Sequence, residues 1–220
     1  MFPKTIKTSL VTHIRDDIIK GEVEPGGWLR LNDLAKRYNV STMPIREALS
    51  ILESEGLLTI YPHRGAQVTS FTPDELLGIY EMRAVLEQLA TLRAVPMLSD
   101  ADLAKLTAIV EDMRGSSETS DLVQFSASNL EFHFNLYAAC KNSHLSEMVK
   151  GLRYRTQHYF RRYVESMSGL QNGYAEHRRL LDLIMARKAE TAAHMMYDHV
   201  YDAGKAIAKR MQEQRQHEGK

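Results

Sequence analysis

Apolar residues recur at Ile6, Leu10, Ile14 and Ile18, backed by Val11 and Ile19, on one face at helical spacing. The run stops at Gly21, ahead of the turn residues "EPGG". A second, shorter helix fits "LNDLAKRYN", with Leu31, Leu34, Ala35 and Tyr38 as its buried stripe. A third starts at Thr42, with Ser41 as N-cap and Pro44 in the first turn, where a missing N–H removes no helical hydrogen bond. Ile45, Ala48, Leu49 and Leu52 form its apolar face, and Gly56 terminates it. The period then changes. "LLTIYPHRGAQVTSF" places β-branched and aromatic residues on both sides of "PHRG", the pattern of a short hairpin.

From "FTPDELLGIY" onward the strand signal disappears. Thr72 as N-cap, Pro73 at the first helical position and Glu75 three residues after the cap read as a capping box that opens a new domain. Helical periodicity then predicts helices over 73–95, 100–114, 121–141, 144–167, 173–187 and 189–214. Pro96, "GSSETS", "KNSH", "SGLQN" and "ARKA" separate them, and the polar "EQRQHEGK" is expected to fray. The predicted fold class is mainly α: a winged helix-turn-helix of three helices plus a β-hairpin over residues 1–71, then an all-helical bundle of six or so helices over 72–220.

Composition narrows the function. Twenty-eight basic residues balance 28 acidic ones, so the overall charge favours neither a polyanion nor a membrane surface. Residues 1–70 are nearly balanced as well, nine basic against eight acidic. A lone Cys140 forms no internal disulfide, which favours a reducing compartment. No run approaches the roughly 18 apolar residues of a membrane helix, and "MFPKTIKTSL" lacks the apolar stretch of a signal peptide. These features predict a soluble, cytoplasmic protein.

The third helix carries the first candidate chemistry. A helix start exposes backbone N–H groups and the positive end of the helix dipole, which suit a phosphate oxygen. Ser41, Thr42 and Pro44 crowd that start, and Arg46 stands one turn inside it, where its two-pronged donor can read a guanine edge in a major groove. Arg64 and Gly65 at the hairpin tip suit a minor groove, because Gly lets the backbone approach closely. Arg30, Lys36 and Arg37 are candidates for further phosphate contacts. The alternative is an ordinary capped helix with solvated arginines.

"IIKGEVEPGGWLRLNDLAKRYNVSTMPIREALSILESEGLL....HRGAQV" resembles the N-terminal domain of GntR-family bacterial transcription regulators: a G-x-x-x-P-G turn, L-A, V-S-x-x-P-[VI]-R-E-A-L, E-G-L and R-G-x-x-V. The helical region, with "YEMRAVLEQLA" and "FHFNLYAACKNSHL", is similar to the FCD effector domain of the FadR-type subfamily. Two positions depart from the pattern. Thr42 stands where members often carry Arg, and Asn32-Asp33 replace the Arg or Glu common ahead of L-A, so the typical operator preference does not transfer.

The resemblance also implies a metal site. FCD domains of this type carry a D-x-x-x-H pair followed by two more His and hold a divalent metal in the bundle; the matching positions are Asn129, His133, His177 and His199. Asn129 replaces the usual Asp and offers only a neutral carbonyl oxygen, which lowers the expected affinity, while three imidazoles suit zinc or nickel. The alternative leaves His133 and His177 as hydrogen-bonded core residues and His199 exposed. Arg83 matches a family arginine and is a candidate clamp for a carboxylate effector, or equally an i, i+4 salt bridge to Glu87. "RYRTQHYFRRY", residues 153–163, reads as an anion-binding wall, with Arg161 and Arg162 on a solvated face; the methionines read as core filler.

Together these features predict a non-enzymatic regulator, a homodimer on palindromic double-stranded DNA, controlled by a small carboxylate effector and acting as a repressor. Alternatives are a metal-sensing regulator and a helical metalloenzyme. The enzyme reading lacks paired Glu-x-x-His motifs and a His-Glu-x-x-His motif.

Overall fold

A computed structural model describes residues 6–164 and 167–218. The chain divides into two compact units, Met1–Thr72 and Pro73–Lys220.

In the first unit, α1 (Ile6–Ile19), α2 (Leu31–Arg37) and α3 (Thr42–Ser54) enclose a core of Leu10, Val11, Ile14, Ile18, Leu34, Ile45, Ala48, Leu49 and Leu52. The stripe expected on α2 narrows to Leu34: Leu31 and Ala35 are only half-buried on this seven-residue helix, and Tyr38, just past its end, is half-buried as well. The hairpin forms as β2 (Leu58–Tyr61) and β3 (Gly65–Val68). A third strand, β1 (Trp28–Leu29), adds to β3 and gives the antiparallel order β1-β3-β2. Two residues beside a Gly pair carry too little alternation to announce a strand, so the sequence pattern missed it. Gly65, at φ 107°, is required where β1 meets the wing: a Cβ there would lie 2.4 Å from the Leu29 carbonyl oxygen.

The second unit is all helix among the described residues. Its elements are α4 (Pro73–Ala94), a 3-10 turn (Val95–Met97), α5 (Asp100–Glu118), α6 (Leu122–Ala138), α7 (Ser143–Val164), α8 (Met167–Met185) and α9 (Ala189–Glu218). Two expected breaks are helical instead. At "GSSE" α5 continues because Ser116 and Ser117 bury their hydroxyls by donating back to the Asp112 and Arg114 carbonyls, at 2.9 and 2.7 Å. At "SGLQN" α8 continues because Leu170 packs into a cluster with Met113 and Phe125, so tertiary burial outweighs local propensity. Of the methionines, Met113 and Met196 are core, whereas Met43, Met82, Met97, Met148 and Met185 are exposed, contrary to the filler expectation.

Candidate functional sites

In the first unit, Ser41 takes the extended N-cap backbone of α3 (φ −70°, ψ 167°), but its hydroxyl makes no capping hydrogen bond. That part of the expected cap is absent, and the first-turn donors are left to another partner. Ser41, Thr42 and Arg46 are exposed and Pro44 is half-buried, while Ile45 and Ala48 anchor the helix in the core. At the wing, the Arg64 N–H donates to the Tyr61 carbonyl at 3.1 Å, and His63 sits at φ 62°, closing a tight turn. Arg46 and Arg64, 18 positions apart, line one open groove with Arg30, Asn32, His63, Tyr61 and Trp28. Arg37 is occupied elsewhere, in ion pairs with Glu22 and Asp17, which does not favour the phosphate contact considered for it.

Three arginines therefore rim a concave face with no ion pair among the described residues to Arg30, Arg46 or Arg64, beside a helix start. Such a face can take phosphate oxygens and base edges.

In the second unit, polar groups meet at the centre of the bundle. His133 on α6, His177 on α8 and His199 on α9 bring ligand nitrogens within 4.8 Å of one another. His133 and His177 are buried and His199 is nearly so, which overturns the expectation of an exposed His199 in the alternative reading. Asn129, one turn before His133, is buried, and its Oδ1 has no hydrogen-bond partner. Asn129, His133 and His199 line the same very small cavity, of about 10 Å³, with Tyr80, Arg83, Arg153, Gln157 and Phe160.

The hydrogen bonds fix which imidazole nitrogens are free. His177 Nδ1 lies 2.7 Å from the Gly173 carbonyl, which only accepts, so Nδ1 carries the proton and Nε2 a lone pair. His199 Nδ1 lies 2.6 Å from Glu176 Oε2, a carboxylate oxygen that likewise only accepts, so this Nδ1 also carries a proton and Nε2 is the nitrogen left to face the cluster. Tyr137 donates its proton to Glu87 Oε2 at 2.6 Å, so its oxygen accepts from His133 Nδ1 at 3.0 Å. His133 Nε2 is therefore also a lone pair, and it stands 3.2 Å from His177 Nε2. Two facing lone pairs repel unless a cation lies at the site, and the orphaned Asn129 oxygen adds a further acceptor to the same cavity. The donor set fits a divalent metal.

Electrostatics agree. Burial, with Arg153 next, holds the His133 pKa well below the usual imidazole value; burial and His199 do the same for His177. Both rings are neutral, the state a metal ligand needs.

Arg83 makes the i, i+4 ion pair with Glu87 (2.9 Å) and donates to Thr156 Oγ1 (2.8 Å), so two edges of its guanidinium are committed while it lines the cavity. Glu87 was not among the candidate ligands, nor was Tyr137. Glu87 is fully buried and accepts from Arg83, Arg153 and Tyr137. Burial pushes its pKa up, but Arg153 and Arg83 outweigh that and hold it below the usual carboxylate value. Two buried guanidiniums thus share one carboxylate, leaving an excess positive charge beside the cavity. Arg153 belongs to the expected anion-binding wall, and Arg161 is half-exposed; the Arg162 side chain lies outside the described residues. The signal that could have exposed Glu87 is an ion pair inside the otherwise apolar face Ile79, Tyr80, Ala84, Ala90.

Comparison with known proteins agrees with both units. Residues 6–68 match "Bacterial regulatory proteins, gntR family", and residues 78–202 match the "FCD domain". The chain is 29% identical over 196 residues to the HTH-type transcriptional repressor GlaR of Escherichia coli K12, covering 85% of this chain and 89% of that protein. It is 28% identical over 199 residues to the gluconate operon transcriptional repressor of Bacillus subtilis 168, covering 86% and 81%. The solved structure of E. coli McbR/YncC superposes with a TM-score of 0.86 at 24% identity, covering 94% of this chain and 98% of that one, which supports the fold.

Proposed function

We propose, since this chain belongs to the gntR family of bacterial regulatory proteins and carries an FCD domain, that it represses transcription from a palindromic operator until a small organic acid binds its metal-containing helical domain. The chain is a DNA-binding transcriptional regulator and not an enzyme. What goes further is its control.

On the DNA side, Arg46 is the base-reading residue, Ser41, Thr42 and Pro44 shape the phosphate-facing helix start, and Arg64 with Gly65 enters the minor groove. Two copies related by a two-fold axis place α3 in successive major grooves. Met82, Val85, Leu89 and Leu92 form an exposed apolar stripe along α4 at helical spacing, and a second copy of the chain is the partner that a palindrome demands.

On the ligand side, the observation that carries the reading is the convergence of three imidazoles beside the unpartnered Asn129 oxygen. His133, His177 and His199, with Asn129, would hold zinc or nickel. A bound ion supplies an electrophilic site for an effector carboxylate. The chain's own residues do the rest: Arg153 and Arg83 supply the uncompensated positive charge that attracts the anion, and Phe160 and Tyr80 wall the cavity. Coupling between effector and DNA of about 1–3 kcal/mol suffices to change operator occupancy.

The test is metal analysis of protein purified without chelator, repeated for His133→Ala and His177→Ala. Bound zinc or nickel near one ion per chain, lost in both variants, is expected; unchanged metal in both overturns the ligand assignment. Thermal melts with candidate organic acids then separate two modes of control. Stabilisation by acid only when metal is present supports the effector reading, by mass action. DNA release by metal alone overturns it in favour of metal sensing.

A further inference from the structure

The wing carries an exposed aromatic pair beside its arginine. Trp28 and Tyr61 stand on the two outer strands of the sheet, with ring centroids 5.3 Å apart and planes tilted by 55°. Both are substantially exposed, at 42% and 39%. The Arg64 guanidinium carbon lies 5.6 Å from the Trp28 ring centroid, within cation–π range. All three residues line the groove that also holds Arg46. Leaving two large rings in water is unfavourable for a free surface, and an indole beneath a guanidinium restricts an otherwise floppy side chain.

We infer that Trp28 is a positioning residue for DNA recognition: with Tyr61 it forms an aromatic shelf that holds Arg64 at the groove rim. The inference rests on the DNA-facing assignment of this groove. The backbone around it is arranged to the same end. His63 and Gly65, both at positive φ, flank Arg64, and the Leu29 carbonyl packs against Gly65, so the strand that presents Trp28 also fixes the base of the arginine. Held in advance, the guanidinium loses less conformational freedom on meeting a minor groove.

The experiment uses the full chain and a duplex recovered by the parent protein from sheared genomic DNA; a parent that recovers none removes the DNA-facing premise rather than the shelf. Trp28→Leu is expected to weaken binding about two- to fivefold per half-site, the range of an exposed cation–π contact. Trp28→Phe, which keeps an aromatic face, is expected to stay within about twofold of the parent. In an Arg64→Ala background, Trp28→Leu should change nothing further, since the shelf then has nothing to hold. Trp28 is the only tryptophan of the chain, so its emission should shift on saturation with duplex. Unchanged affinity in Trp28→Leu, or a loss fully additive with Arg64→Ala, overturns the inference. If Trp28→Leu fails to fold, the parent's emission and the Trp28→Phe affinity decide: a silent indole, or a phenylalanine variant as weak as Arg64→Ala, overturns it.

Discussion

The two units use arginine in opposite ways. Around α3 and the wing, Arg46 and Arg64 stand in solvent over a wholly apolar core. In the helical unit, Arg83 and Arg153 are buried, and what surrounds them is itself polar: Glu87, Tyr137, Thr156 and the imidazoles. An exposed guanidinium keeps its hydration until a polyanion displaces it, so its contribution to binding is salt-dependent and its contribution to folding is small. A buried one must be matched by a fixed carboxylate, and losing that partner is felt by the whole fold. Substitutions in the first unit should therefore separate binding from stability, whereas those in the second should not.

The largest expected effect tests the buried half of that contrast. Glu87→Gln leaves two buried guanidiniums without a carboxylate and should destabilise the chain by about 3–5 kcal/mol in urea unfolding. A loss below about 1 kcal/mol would mean that the cluster is hydrated and the contrast false. Next comes Arg46→Ala, expected to lose about 1–3 kcal/mol of operator discrimination per half-site by fluorescence anisotropy, with an unchanged melting temperature. Early melting in that variant would blur the distinction between the units. Asn129→Asp is expected to tighten metal binding in competition titrations with a chromogenic chelator, because a carboxylate offsets ion charge that an amide does not. Weaker binding would remove Asn129 from the ligand set. The smallest effect concerns the α4 stripe: Leu89→Glu should shift the chain toward monomer in light scattering and leave the melt of the monomer almost unaltered, since Leu89 is 39% exposed.

Legibility in the sequence follows the same division. Three helices and the hairpin of the first unit follow from local period and turn chemistry, because each apolar face is written within one element. The two-residue β1 escaped because its pairing with β3 is a tertiary fact. In the helical unit α5 and α8 run longer than their local pattern predicts: serine hydroxyls fold back on their own helix, and packing against Phe125 carries the chain past residues that usually end helices. The three histidines come from the family resemblance, since positions 133, 177 and 199 are only a weak signal by spacing alone. Glu87, Tyr137 and Arg153 come from three different helices, and only the folded bundle reveals that one carboxylate serves both arginines and, through Tyr137, orients His133.

The most direct measurement is a binding isotherm of the parent and of Arg46→Ala on duplex fragments that the parent recovers from genomic DNA, run against an equal excess of unrelated duplex. The parent should discriminate, and Arg46→Ala should lose roughly tenfold or more of that discrimination. Equal affinity of the two proteins for the recovered fragments would contradict it.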